Sequence, residues 1–88
     1  MPYIPKVQRP LIDRHLKWLL ECGLTAGQIN YIITKLLVAY VNRRGLGYES
    51  FKDVDGILGT CAKEFYRRVT APYEDKKRFD PDNGDVFD

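Results

Sequence analysis

One stretch, residues 29–41, constrains the fold of this chain more than any other feature. Ten of its thirteen residues are apolar or aromatic. Thr25 and Gln28 form a capping-box pattern before it, and the Arg-Arg-Gly sequence at 43–45 is typical of a helix C-terminus. A surface helix needs an apolar stripe only about 100° wide. The helix predicted over 25–44 must therefore be covered on several sides, by the rest of the chain or by a second chain.

The remaining elements follow from the positions of prolines and glycines and from helical periodicity. They are an extended arm at 1–5, a first helix at 6–22, a third helix at 48–71, and a charged turn with an acidic tail at 72–88. Within the tail, Asp85-Val86-Phe87 is expected to form a short strand that pairs with Tyr3-Ile4. The predicted architecture is a single all-α domain, a three-helix unit that forms a homo-oligomer through its central helix.

The two outer helices each carry one apolar face, which we expect to be buried. The face of the first helix is formed by Val7, Leu11, Ile12, Leu16, Leu19 and Leu20, and that of the third by Phe51, Val54, Leu58, Cys61, Ala62, Phe65 and Val69. On the central helix, Asn30 and Thr34 lie one turn apart. We expect them to form a buried polar pair that fixes the register with a neighbour, the alternative being a ligand contact.

The charge of the chain is unevenly placed. Of the 88 residues, the first 78 carry fourteen Lys and Arg against eight Asp and Glu, whereas the last ten carry four Asp and no cation. This pattern indicates an anionic partner, a tail that folds back on a basic patch, or an ordinary solvated surface. A net charge of +2 is far below that of a basic DNA-binding domain, so nucleic acid is not the expected partner. No signal peptide or membrane span is evident, and we expect a cytoplasmic, reduced protein.

The residue types and their spacings match no pattern that is typical of an enzyme or of a metal site. One histidine and two distant cysteines do not make a zinc site, and no phosphate-binding glycine loop is present. His15 and Cys22 share a helix face, but nothing activates the thiol. Glu64 and Arg68 have the spacing of a surface ion pair. We therefore expect a protein without catalytic activity, metal or cofactor.

The outer face of the third helix is the best candidate site. It presents Gly56 and Gly59, each about 1 kcal/mol less favourable than alanine in a helix interior, which indicates close approach of a ligand or another backbone. Further along this face and just beyond it are cations and rings that suit phosphate oxygens and a nucleobase. The predicted ligand-binding residues are Lys63, Tyr66, Arg67, Arg68 and Tyr73. The alternative is a helix crossing at the glycines beside a solvated basic edge.

The chain also resembles a small uncharacterised family that is found in bacteria and their phages. The resemblance rests on MPYI at the N-terminus, NYxIT at 30–34, EFYRRV at 64–69, PYEDKK at 72–77 and NGDV at 83–86. One departure is Gly59, since relatives have a leucine–glutamate–cysteine run in this region. The family implies no reaction. It implies a short phage-type accessory protein that acts by binding.

Two functions are therefore expected from different classes. The first is a non-enzymatic protein that binds and sequesters an anionic small molecule of the nucleotide-signal class, as an anti-defence sponge. The second is an inhibitor or adaptor that binds a host protein through Trp18, Tyr31 or Tyr40 and the acidic tail.

Overall fold

The computed structural model describes residues 2–87, and in this range the chain is helical with no strand. The elements are a 3₁₀ turn at Lys6–Gln8, α1 at Arg9–Glu21, α2 at Ala26–Arg44, α3 at Tyr48–Phe65, a π-helical turn at Tyr66–Thr70 and α4 at Ala71–Arg78. Helical conformation is unbroken from Tyr48 to Arg78. The predicted all-α class is confirmed. The predicted strand at 85–87 is wrong, because the Asp85 carboxylate itself accepts the Phe87 N–H at 2.9 Å.

The ends of α2 follow the local sequence. The Thr25 hydroxyl accepts the Gln28 N–H at 3.2 Å, and the Gln28 side chain accepts the Thr25 N–H at 2.9 Å. This is the predicted capping box, which satisfies backbone groups that the first turn leaves unpaired. At the other end Gly45 has φ 99°, and its N–H donates to the Val41 carbonyl at 2.8 Å. Only glycine adopts this conformation without strain.

Before α1, the arm is tied to the helix by one side chain. The Arg9 guanidinium donates two hydrogen bonds to the Ile4 carbonyl, at 3.0 and 3.2 Å. Pro5 is extended, with φ −55° and ψ 142°. Residues 3–5 have no regular secondary structure, and Met1 lies outside the described residues.

The described chain divides into two compact units, one formed by Tyr3–Asp55 and the other by the residues from Gly56 onward together with Pro2. In the first unit α2 and the start of α3 meet at Val41, Ser50 and Tyr40. Ser50 is buried, and its hydroxyl lies 2.7 Å from the Gly45 carbonyl and 3.0 Å from the Gly47 carbonyl. These contacts hold the loop between the two helices.

Most of the predicted apolar faces are exposed. Leu11, Phe51 and Phe65 have exposed fractions of 60%, 51% and 63%, and Cys61 is exposed rather than packed as predicted. The predicted buried pair of Asn30 and Thr34 is also wrong. Both side chains are exposed, and the Thr34 hydroxyl donates to the Asn30 carbonyl of its own helix at 2.9 Å. Periodicity predicts which face needs cover, but it does not say which chain supplies that cover.

We expect the hydrogen bond between Tyr40 and Asp53 to make stability fall at high pH. The Tyr40 hydroxyl donates to the Asp53 carboxylate at 2.7 Å, and this bond, with burial and the carboxylate charge, raises the pKa of Tyr40 above 10.0. The stabilisation is complete below a pH of about 10, the tyrosine pKa in unfolded chains, and is lost as the pH rises through the folded pKa. Urea unfolding from pH 8 to 11 measures this fall in stability.

Tyr40→Phe should be less stable than the parent at pH 8 and should decline less steeply above pH 10. Tyr31→Phe, at an exposed ring on the same helix, is the control and should keep the parent's slope. Parallel curves for the parent and Tyr40→Phe would contradict the expectation.

Candidate functional site

The five predicted site residues lie on one helical stretch within the unit that begins at Gly56. Lys63 is in the last turn of α3, Tyr66, Arg67 and Arg68 are in the π-helical turn, and Tyr73 is in the first turn of α4. All five side chains are exposed. The stretch therefore presents three cations and two aromatic rings, although it does not gather them into one pocket.

The cause of the π-helical turn is Pro72, six residues after Tyr66. Proline has no N–H to donate, and in a regular α-helix its ring would clash with the carbonyl four residues before it, that of Arg68. The helix widens instead, so that the Ala71 N–H donates to the Tyr66 carbonyl five residues back. The predicted helix end at 71 and charged turn from 72 are thus replaced by a helix that continues to Arg78. A π turn also breaks the 3.6-residue spacing from which the shared face was predicted.

Arg67 is held by a carboxylate on its own helix. Its Nη2 atom lies 2.6 Å from Oε1 of Glu64, whose side chain is only 20% exposed. The sequence predicted this carboxylate to pair with Arg68, one helical turn away, but the structure pairs it with Arg67. An anionic ligand at Arg67 must therefore share the guanidinium with Glu64.

The aromatic rings of the stretch have polar neighbours in α4. The Tyr66 hydroxyl lies 3.4 Å from Oε2 of Glu74. The Lys77 ammonium lies 5.5 Å from the centre of the Tyr73 ring, within the range of a cation–π contact. Both rings remain more than half exposed. They are available for stacking against a flat ligand.

A cleft of about 570 Å³ lies beside Tyr66, between α4 and the C-terminal tail. Its lining residues are Tyr66, Glu74, Asp75, Lys77, Arg78, Asn83, Gly84, Asp85, Val86 and Phe87. Of the five predicted residues only Tyr66 reaches it. The structure adds Lys77 and Arg78, which the sequence analysis did not assign to the site. The basic run at 76–78 was the signal that could have indicated them.

The acidic tail folds back onto the basic end of α4. Arg78 lies 3.6 Å from Asp75 on its own helix and 3.6 Å from Asp85 in the tail. The Asn83 side chain donates to the Lys77 carbonyl at 3.2 Å. One of the interpretations of the charge pattern was such a fold-back. The cleft consequently carries both signs of charge, and an anion entering it competes with Asp85 for Arg78.

Gly56 and Gly59 do not form the expected close approach. A Cβ atom built on either glycine meets no atom within 4 Å other than those of its chain neighbours and of the backbone of its own helix. The described part of the chain therefore forms no groove over these glycines. The cost of placing two glycines in a helix interior is not explained by contacts of the chain with itself.

A second concave surface lies on the unit Tyr3–Asp55, where α1 meets the start of α2. This pocket of about 520 Å³ is lined mainly by apolar atoms, with Trp18 70% and Tyr31 64% exposed. Trp18 and Tyr31 are therefore exposed at this pocket. The Tyr40 hydroxyl, by contrast, donates to Asp53.

The side chains of His15 and Cys22 each interact with a backbone carbonyl one turn earlier in the chain. His15 Nδ1 donates to the Leu11 carbonyl at 2.8 Å, and the Cys22 thiol lies 3.6 Å from the Leu19 carbonyl. Between Pro2 and Phe87, no three His, Cys, Asp or Glu side chains are grouped to hold a metal ion. Over the same range, none of the helices combines the length and the apolar character that crossing a bilayer requires.

Comparison with known proteins places the chain in a family but not in a functional class. No curated protein and no solved structure matches it. One family model, described as a domain of unknown function, matches residues 1–86, nearly the whole chain. This protein therefore belongs to the DUF6899 family.

Proposed function

We propose that this protein is a non-enzymatic, cytosolic binding protein for an anionic small molecule of the nucleotide-signal class. The supporting observation is the exposed series of cations and rings from Lys63 to Arg78 beside a cleft of about 570 Å³. Ligand pockets for small molecules typically measure about 300–1,000 Å³, and the volume of this cleft lies within that range. Sequestration requires no catalytic group, because tight binding alone lowers the concentration of free ligand.

Each side chain has a role that follows from its chemistry. The Tyr66 and Tyr73 rings would stack against a base, as aromatic side chains do with single-stranded nucleotides. Lys63, Arg67 and Arg68 would bind phosphate oxygens, Arg67 through its planar fork of donors. Glu64 already orients that fork at 2.6 Å, so less freedom is lost when a ligand binds. The biological role that we propose is that of a phage-type sponge for a host signal molecule.

Arg67→Ala is expected to weaken nucleotide binding at least tenfold. Hydrogen bonds to charged groups contribute about 1.5–3 kcal/mol each, and a tenfold change corresponds to about 1.4 kcal/mol. Arg67→Lys should restore only part of the affinity, because an ammonium cannot make a two-pronged contact. A thermal-shift screen against mono-, di- and cyclic nucleotides, followed by calorimetric titration of the best one, measures the effect.

The matched control is Arg14→Ala, which removes an exposed arginine from α1 and should leave the affinity unchanged. Each variant is also melted without ligand, because the Arg67–Glu64 pair is itself worth up to about 1 kcal/mol. If no nucleotide raises the melting temperature, or if Arg14→Ala and Arg67→Ala bind equally well, the proposal is wrong.

The apolar pocket at Trp18 supports a second candidate function, that of an inhibitor or adaptor for a host protein. Exposed aromatic anchors in a pocket often dominate protein–protein affinity, and the acidic tail would face a basic partner. Trp18→Ala should then abolish capture of that partner, while Arg67→Ala should not. The opposite pattern would favour the small-molecule function.

We also propose that the protein is a homo-oligomer formed through α2. Ile29, Leu36 and Val38 of this helix are 45%, 62% and 50% exposed. Ile29 and Leu36 lie on one side of the helix and Val38 on the opposite side. Exposed apolar patches of this kind usually mark an interaction surface.

A further inference from the structure

The acidic end of the chain forms a compact turn. The Asp80 carbonyl accepts the Asn83 and Gly84 N–H groups, at 3.1 and 3.4 Å. The Asp80 carboxylate accepts the Asp82 N–H at 2.9 Å. Gly84 has φ 74°, a conformation that glycine adopts without strain. We call residues 80–87 the strap, because after this turn they lie against α4.

Two polar contacts join the strap to the end of α4. The Nε atom of Arg78 lies 3.6 Å from Oδ2 of Asp85. The Asn83 side chain donates to the Lys77 carbonyl at 3.2 Å. The Asp85 side chain is only 26% exposed, and its second oxygen, Oδ1, accepts the Phe87 N–H at 2.9 Å. One carboxylate therefore connects the fold of the strap to its contact with α4.

With the strap in this position, carboxylates outnumber cations along the cleft between the strap and α4. The charged lining residues are Glu74, Asp75, Lys77, Arg78 and Asp85, so three negative charges face two positive ones. The charges other than that of Asp85 belong to α4, and the strap therefore supplies the excess negative charge. The closed cleft repels an anion on balance, whereas without Asp85 its opposite charges are equal in number.

The strap is held loosely. The Val86 and Phe87 side chains are 91% and 95% exposed, so they add little apolar burial. The 3.6 Å between Arg78 and Asp85 exceeds the roughly 2.7–2.9 Å of a charge-assisted hydrogen bond between a cation and a carboxylate. An ion pair near the surface shifts an equilibrium by at most about fivefold. A ligand oxygen that approaches Arg78 more closely than Asp85 does can therefore displace this carboxylate.

We infer that the strap is an autoinhibitory gate, in which Asp85 occupies the position at Arg78 that a phosphate group of the ligand takes. Binding exchanges one anion for another and releases the strap from α4. The inference rests on the proposed binding of an anionic small molecule, and it adds how access to the cleft is controlled. The measured affinity is the intrinsic affinity reduced by the fraction of molecules whose strap is open.

Asp85→Asn is expected to bind inorganic pyrophosphate about two- to fivefold more tightly than the parent does. Pyrophosphate is the probe because it carries the phosphate chemistry without a base. The amide has the shape of the carboxylate, and its Oδ1 atom can still accept the Phe87 N–H, so the substitution removes the charge but keeps the turn. Calorimetric titration at low ionic strength measures the affinity, because salt screens charges at the surface.

Asp82→Asn is the matched control. It removes the same charge from the strap, but Asp82 does not line the cleft, so the affinity should stay that of the parent. If Asp85→Asn binds pyrophosphate no more tightly than Asp82→Asn, the gate is wrong and the proposed function is unaffected. If none of the three proteins binds pyrophosphate, the gate is also wrong, and the nucleotide screen decides the proposed function separately.

Nuclear magnetic resonance of the isotope-labelled full chain measures the release of the strap. The heteronuclear NOE at the Gly84 and Val86 amides reports order on the picosecond-to-nanosecond timescale. It should fall when pyrophosphate saturates the parent, while the Lys76 amide within α4 should keep its value. In ligand-free Asp85→Asn it should already be lower than in the ligand-free parent. An NOE at Gly84 and Val86 that pyrophosphate binding leaves unchanged would overturn the gate, because the strap would then stay closed beside the bound ligand.

Discussion

A chain carrying Val41→Asp is expected to lose its cooperative thermal transition and much of its helical circular dichroism. Val41 is 9% exposed and lines an apolar pocket between α2 and α3 with Leu37 and Phe51. An unpaired carboxylate at such a position destabilises by at least about 3 kcal/mol. A domain of this size has only about 4–13 kcal/mol of stability in total. The loss therefore removes a large part of it.

The matched control for this substitution is Val7→Asp. Val7 is 86% exposed in the 3₁₀ turn, so the same change there should alter stability by less than about 0.5 kcal/mol. Circular dichroism melts at one protein concentration compare the two. If Val41→Asp melts like the parent, the contact between α2 and α3 does not stabilise the unit.

Gly45→Ala is expected to destabilise the unit Tyr3–Asp55 by about 1–3 kcal/mol. Gly45 has φ 99°, a backbone conformation that L side chains rarely adopt. Nothing lies within 4 Å of a Cβ atom built there, so the cost comes from backbone strain rather than from a steric clash with a neighbour. The strain would arise in the loop that joins α2 to α3. Urea unfolding measures the resulting loss of stability.

Gly27→Ala makes the same chemical change at the other end of α2 and should act in the opposite direction. Gly27 has an ordinary helical backbone and open space around its Cβ position. Alanine there restricts the unfolded chain and should stabilise by about 0.4–1 kcal/mol. Equal effects of the two substitutions would show that the Gly45 conformation is not required.

The helix boundaries could be predicted because they depend on short-range chemistry. The capping box of Thr25 and Gln28 and the turns at Gly23 and Gly45 involve groups within a few residues, and the structure has them as expected. The extra length of the last helix could not be predicted in this way. Pro72 ordinarily ends or kinks a helix, but here a π-helical turn relieves its steric conflict.

The sequence predicted that the five candidate side chains lie on one helical stretch, but it did not predict which partners they have. Residue types placed cations and rings between Lys63 and Tyr73, and the structure keeps them exposed on one helical stretch. Their partners depend on side-chain geometry that spacing alone does not determine. Glu64 pairs with Arg67 instead of Arg68, and Lys77 and Arg78 line a cleft that exists only because the tail folds back.

The sequence by itself determined that this chain is helical, where α2 begins and ends, and that α2 is apolar on nearly all sides. Those properties arise from local backbone chemistry and from periodicity. Only the tertiary structure decided that Cys61 and Phe65 are exposed and that Val41 is buried. Burial depends on which surfaces meet, and this in turn depends on the distances between helices that are remote in the chain.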